Sequence, residues 1–356
     1  MCDMHDDNPG DNPTEQHWGI DLRSLDAVVS ERLGADGLRR ELMGGGLSQT
    51  TLRYVGDIPA WGDSVIVRIP PLHGPLEPYN ASGEAALGNW LAAQGIPVPR
   101  VIASAAHEPR IGRGYLISET VDGYVVRDGA PGLDDAAKQA MAHAYVDQLV
   151  ALHRLADAAR PAETLDWAPP KTASGVVERW TRSLRETSLV LPDFHVFLSD
   201  WLTRRMPDED STPTVVHGDY RLGNVMWSDA QTIAAVLDWE EAGAGDPYFD
   251  LGWTLMGTVG PDDLMMGILP RHEFLRMYAE KTGRPIDEDR LIWWEVAAGW
   301  SRICMEAKAI ALLASGHYSD VRPLLSSYIN RRLSIVLLEK IRAFEGSAVS
   351  LPAAIS

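Results

Sequence analysis

Lysine is missing from more than the first third of this chain: of its 32 lysines and arginines, every one before Lys138 is an arginine. Cysteine is almost absent as well. The two present, Cys2 and Cys304, have no CxxC partner, so neither a disulfide framework nor a zinc site is expected. Cationic side chains are outnumbered by 50 acidic ones, giving a formal net charge of −18. That balance argues against nucleic acid or an anionic membrane as the main partner, because both need a basic surface. It would favour a cationic substrate, although a plainly solvated acidic surface gives the same charge. No apolar run approaches the roughly 20 residues needed to span a bilayer, and "SIVLLEKI" is broken by charge. The opening "MCDMHDDNPGDNPTEQHW" has no basic or apolar segment of the kind a signal peptide needs, so a cytoplasmic location is expected.

What is present is ordinary for a soluble enzyme, with 45% apolar and 23% charged residues. At 356 residues the chain suits two lobes better than one core. Residues 1–20, rich in Asp, Asn and Pro, read as a disordered leader. "SLDAVVSERLGADG" has helical spacing, with Ser24 as N-cap and Gly34 as stop. "LMGGGLSQTTLRYVG" and "WGDSVIVRIPP" alternate as antiparallel strands, "ASGEAALGNWLAAQG" is a helix, and "IPVPRVIASA" and "GYLISETVDG" are two further strands. From about residue 135 helical periods dominate, interrupted by one β-rich insert over residues 213–240. The pattern is α+β: a small β-rich lobe over 21–119, then a larger helical lobe over 120–348. No internal repeat interrupts it.

The β-rich insert carries the chemistry. "TVVHGDYRLGNVMW" runs from apolar strand through polar turn to apolar strand, and "IAAVLDWE" is a third strand ending in acid. Asp219 and Asp238 therefore fall at the ends of neighbouring strands, with Asn224 between them. The spacing His-x-Asp-x-x-x-x-Asn fits a kinase catalytic loop, in which the aspartate accepts a hydroxyl proton and the asparagine holds magnesium. A carboxylate on the next strand would complete a hard oxygen site for magnesium bridging ATP phosphates.

"HGDYRLGN" together with "LDWEEAGAGDPYFDLGW" resembles the aminoglycoside phosphotransferase family, a small-molecule branch of the two-lobed protein-kinase-like fold. Within it the chain looks most like a bacterial group related to the kinase-like domain fused to some acyl-CoA dehydrogenases. The resemblance covers residues from about 40 to about 345. It implies Asp219 as catalytic base, Arg221 as a helper in the same turn, and Asn224 and Asp238 as magnesium ligands. It implies that His217 orients the turn and that Asp246 and Asp250 hold the metal loop. In "MGGGLSQTT", Gly44, Gly45, Gly46 and Ser48 match the loop covering the nucleotide, although a glycine triplet alone is a plain turn. Glu119 and Val121 match the linker whose backbone meets adenine.

One position departs from the family. The strand cation expected to grip the α- and β-phosphates is an arginine, Arg68, with Glu84 on the following helix matching its carboxylate partner. Arginine can bind phosphate as a fork, so nucleotide binding survives on one reading; it is no conservative replacement for lysine, so activity is lost on the other. Trp293, Trp294 and Trp300 stand at helical spacing and read as core. Glu240 and Glu241 could touch a second metal or a cationic substrate, and read equally as solvated loop charges.

The expected function is Mg²⁺- and ATP-dependent transfer of the γ-phosphoryl group to a hydroxyl of a small molecule, aminoglycoside-like or a metabolic alcohol. The alternatives are a hydroxyacyl-CoA kinase of the same family and an inactive nucleotide-binding module. No nucleic acid or membrane partner is expected, and the chain would be a monomer or homodimer.

Overall fold

The computed structural model describes residues 16–17, 19–43, 48–126, 129–156, 164–187, 193–208, 213–318, 320–329 and 331–346. Strands β1 (Gln16–His17) and β2 (Ile20–Asp21) pair antiparallel, and Ile20 is wholly buried. Ordered chain thus reaches back into the stretch expected as a leader over 1–20; residues 1–15 lie outside the described residues. Helix α1 (Leu22–Leu33) is capped by Asp21, whose carboxylate accepts the backbone N–H groups of Arg23 and Ser24 at 3.0 and 3.4 Å. Asp21, in extended backbone, takes the N-cap place expected of Ser24, which lies inside the first turn and donates its hydroxyl to the Asp21 carboxylate at 2.8 Å. Gly34 closes the helix at φ +61°.

Strands β3 (Arg39–Leu42), β4 (Thr50–Ile58), β5 (Gly62–Ile69), β6 (Val101–Glu108) and β7 (Arg113–Glu119) form one antiparallel sheet in the order β3-β4-β5-β7-β6. Alternation puts Leu52, Tyr54, Val65, Val67, Tyr115 and Ile117 into a core with Leu25, Val28 and Val29 of α1. Helix α2 (Ala81–Ala93), capped by Asn80 onto the Gly83 N–H, buries Ala81 and Ala85 beneath Leu116.

After β7 the chain crosses to the second region through β8 (Tyr124–Val125), which pairs with β10 (Val225–Asp229). This region holds α3 (Asp135–His153), α4 (Ala173–Glu186), α5 (Asp193–Arg204), α6 (Tyr248–Leu255), α7 (Arg271–Thr282), α8 (Glu288–Ala314), α9 (Arg322–Ile329) and α10 (Arg331–Glu345). The hairpin β13 (Leu264–Met265) and β14 (Leu269–Pro270) precedes α7. Trp293, Trp294 and Trp300 are at most 1% exposed in the α4–α5–α6–α8 core, as their spacing predicted, and Cys304 is buried beside them. Among the described residues no helix is long and apolar enough to cross a membrane.

Two small sheets place the motifs. Strand β9 (Thr214–Val216) pairs with β12 (Gly243–Gly245), with Val216 opposite Gly243. Strand β10 pairs with β11 (Thr232–Val236), with Val225 opposite Val236. The turn 217–224 links β9 to β10 and the turn 237–242 links β11 to β12, so the two turns lie side by side. The Leu237 N–H donates to the Asn224 carbonyl at 2.8 Å and locks them together.

Candidate active site

The 217–224 turn is built around a wholly buried histidine. His217 Nδ1 accepts the Asp219 backbone N–H at 3.2 Å, so the ring proton sits on Nε2, which donates to the Leu237 carbonyl at 2.8 Å. His217 therefore orients the turn, as its sequence match implied. Gly218 adopts φ +86°, a conformation open to glycine at low cost.

Asp219 is clamped at both carboxylate oxygens. Asn224 Nδ2 donates to Oδ2 at 2.7 Å and to the Asp219 carbonyl at 2.9 Å, while Arg221 Nε donates to Oδ2 at 3.2 Å. The Trp253 indole N–H donates to Oδ1 at 2.5 Å. Because the Asn224 amide nitrogen faces Asp219, its oxygen is left for another partner.

Asp238 opens the second turn in a left-handed conformation at φ +67°, unusual for a residue carrying Cβ. One arm of the Arg68 guanidinium meets Asp238 and the other meets Glu84, each at 2.5 Å. Burial alone would pull the Arg68 pKa down, but the charges of Glu84, Asp238 and Glu240 raise it above its ordinary value. The structure thus brings Arg68, Glu84 and Asp238 into one bridge and Asp219, Arg221 and Asn224 into a second cluster. A group of three His, Cys, Asp or Glu side chains able to hold a metal is not found among the described residues. The Asp238 carboxylate and the Asn224 amide oxygen nonetheless fit a hard cation completed by phosphate oxygens.

Ser48 stands where the nucleotide-covering loop was expected, and its hydroxyl donates to Glu240; Gln49 Nε2 donates to the same carboxylate at 2.7 Å. Gly44, Gly45 and Gly46 lie outside the described residues. Glu119 ends β7, its backbone N–H donating to the Arg100 carbonyl at 3.0 Å and its carboxylate accepting Arg100 Nε at 2.6 Å. Val121 follows in the crossing segment before β8.

Three expectations are corrected. Glu240 and Glu241 are not solvated: both are buried. Burial and the Asp238 charge push Glu240 well above the ordinary carboxylate range, against the opposing effect of Arg68. For Glu241 burial acts upward too, but Lys171 Nζ at 2.7 Å and the Arg179 fork at 2.7 and 2.8 Å bring it down to about 2. Sequence reasoning missed both cations, since they lie 70 and 62 positions earlier in the chain. Asp250, expected to hold the metal loop, instead grips the 217–224 turn: its two oxygens accept the His217 and Gly218 backbone N–H groups at 2.8 Å each. Burial would lift its carboxyl, but the hydrogen bond and charge of His153, with His217, hold it below its usual range. Asp246 meets Arg290, Trp294 Nε1 at 3.2 Å and the Tyr248 N–H at 3.0 Å.

A β-sheet region followed by a helical region, with these two turns between them, defines a kinase-like fold. Residues 41–294 match the model of the phosphotransferase enzyme family (APH), and the chain belongs to that family. Over 246 residues it is 29% identical to human acyl-CoA dehydrogenase family member 11, covering 65% of this chain but 30% of that protein. It is 27% identical over 220 residues to an N-acetylmuramate/N-acetylglucosamine kinase of Caulobacter vibrioides, covering 54% of this chain and 59% of the kinase. The chain therefore spans between about a fifth and a third of the length of the dehydrogenase-family relatives it matches.

Among solved structures, a Ralstonia eutropha JMP134 protein assigned to the aminoglycoside phosphotransferases superposes with TM-score 0.68 at 26% identity, over 91% of this chain and 99% of that one. APH(2")-IIIa, solved with GDP and kanamycin, superposes at TM-score 0.58 and 16% identity over 89% and 98%. A thermostable APH(4)-Ia variant, solved with ADP and hygromycin B, gives 0.54 and 14% over 92% and 100%.

Proposed function

We propose that this chain is a Mg-ATP-dependent phosphotransferase that moves the γ-phosphoryl group to a hydroxyl of a small molecule. The observation that carries this reading is the pairing of two turns, one presenting Asp219 and Asn224 and the other Asp238 with its Arg68–Glu84 bridge. In this reading residues 21–119 form a nucleotide-binding lobe and 120–348 a catalytic lobe. The Arg68 fork, held by Glu84, lies against the α- and β-phosphates, and Glu119 and Val121 offer backbone groups to the base. Ser48 and the glycines before it close over the phosphates. Asp238 and the Asn224 oxygen would hold Mg²⁺, which when bound neutralises charge on the phosphate oxygens.

Asp219 accepts the hydrogen bond of the acceptor hydroxyl and takes its proton as the oxygen–phosphorus bond forms and the bond to the ADP oxygen breaks. Arg221, beside it, steadies the transferred group. Most of the acceleration would come from alignment and charge complementarity, since the protein has no covalent step to perform.

Two acceptor readings have support. The Caulobacter relative is by name a sugar kinase, and one structural neighbour holds kanamycin, a match for a hydroxyl on a polyol or aminoglycoside. The matched dehydrogenase-family relatives direct attention to hydroxyacyl-CoA as the second reading. The inactive module loses ground because Arg68 meets Glu84, the carboxylate matched as its partner, and the Asp219, Asn224 and Asp238 set is intact. ADP release from Mg-ATP across aminoglycosides, amino sugars, choline-like alcohols and hydroxyacyl-CoAs, wild type against Asp219→Asn, tests the proposal. Turnover dependent on Asp219 supports it; ADP release that is absent, or equal in the two proteins, sinks it.

A further inference from the structure

Helix α6 holds the 217–220 segment residue by residue. Asp250 accepts the N–H groups of His217 and Gly218, Trp253 donates to the Asp219 carboxylate, and Thr254 Oγ1 donates to the Tyr220 carbonyl at 3.0 Å. Residues 250, 253 and 254 share one face because positions three and four apart stack along a helix. The helix itself is wedged in place: a Cβ on Gly252 would stand 2.5 Å from the Trp294 carbonyl of α8. The Trp253 ring is 4% exposed and stacks on Phe249 at 6.1 Å and 16°.

An ionised carboxylate offers about four acceptor positions. At Asp219, Oδ2 already takes two N–H donors, from Asn224 and Arg221, and Oδ1 takes one, from Trp253. The position left for a donor is on Oδ1, the oxygen held by the indole. Where that lone pair points is set by where the indole N–H sits.

We propose that Trp253 is a positioning residue for phosphoryl transfer: its indole N–H orients Asp219 so that Oδ1 receives the acceptor hydroxyl. The inference rests on the phosphotransfer reading of the site. The Trp253 indole donates to Asp219 and makes no hydrogen bond to Arg68, Glu84 or Asp238, so it acts on the acceptor step and not on nucleotide binding.

Trp253→Phe keeps an aromatic ring against Phe249 and removes the N–H donor. It is expected to lower kcat by roughly ten- to a hundredfold, the scale of an ångström-sized misplacement, while the KM for ATP stays within about twofold. A misaligned acceptor also competes poorly with water, so the ratio of acceptor phosphorylation to ATP hydrolysis should fall, a change that a purely structural loss would not produce. A Trp253→Phe enzyme matching wild type in kcat and in that ratio, with Asp219→Asn silent, overturns this inference alone. A wild type without turnover on any acceptor overturns the phosphotransfer reading and this role with it.

A second measurement bears on the contact itself. The indole ¹H–¹⁵N signal lost in Trp253→Phe is that of Trp253, and it should shift upfield in Asp219→Ala. A signal that stays in place shows that the indole does not hold the carboxylate, and overturns the inference whichever acceptor is used.

Discussion

Gly218 lies flat against the backbone carbonyl of Glu241: a Cβ built on it would stand 2.0 Å from that oxygen. The contact brings the 217–224 turn against the 237–242 turn, and with it Asp219 toward the loop of Asp238. Backbone cannot withdraw as a flexible side chain could, and φ +86° adds strain of its own for any other residue. Gly218→Ala is expected to cost at least about 2 kcal/mol in urea unfolding and to remove turnover by driving the turns apart. An alanine protein with wild-type midpoint and rate would mean that the two turns are not in contact.

Asp219→Asn tests the proposed base. Loss of general-base catalysis is worth roughly 10²- to 10⁴-fold in kcat, with little change in the KM for ATP. Stability should fall slightly, because an asparagine NH₂ placed among the Asn224, Arg221 and Trp253 donors sets donor against donor. A rise in KM with kcat preserved would assign Asp219 to binding instead.

Arg68 reaches two carboxylates with two arms, a geometry one ammonium does not reproduce. Arg68→Lys should keep either the Glu84 or the Asp238 contact and raise the KM for ATP by about tenfold, or ~1.4 kcal/mol. Arg68→Met leaves both carboxylates without a cation; removing one partner of a buried ion pair costs about 3–5 kcal/mol, and this bridge, with Arg68 18% and Asp238 32% exposed, should lose less. Isothermal titration with Mg-ATP and urea unfolding separate the two effects. Unchanged nucleotide affinity in both variants would place the phosphates elsewhere.

Much of this architecture was legible because its parts are long or periodic. Strands β4 and β5 alternate, helices α3 and α8 carry apolar spacing over many turns, and the His217–Asn224 motif has a fixed spacing. Helix α6 was not legible. Its eight residues, Tyr248–Leu255, are nearly all apolar and buried, so no polar face marks a helical period, and Gly252 argues locally against helix. The contact it exists to make, Trp253 to Asp219, joins residues 34 positions apart and leaves no trace in either local pattern. The Glu240–Glu241 pair misled for the same reason: a charge pair reads as solvated until its partners, Ser48, Gln49, Lys171 and Arg179, arrive from distant segments.

Glu241 offers a test of stability against pH. Its carboxyl is held near 2 in the folded chain, against an ordinary 4.5, by Lys171 and Arg179. A depressed carboxylate contributes stability that is fully present above about 4.5 and is lost as pH falls toward 2, because the unfolded chain takes up the proton first. For a wholly buried group this difference is worth about 3 kcal/mol. Wild-type urea midpoints should therefore drop between pH 5 and pH 3. Glu241→Gln should lose about 3–5 kcal/mol at pH 7, since it leaves the buried Lys171 and the partly buried Arg179 facing a neutral amide, and its midpoint should fall less steeply over the same interval. The two curves converge at low pH if Glu241 is the group that titrates. Parallel curves would place the acid sensitivity in another buried carboxylate, such as Asp250.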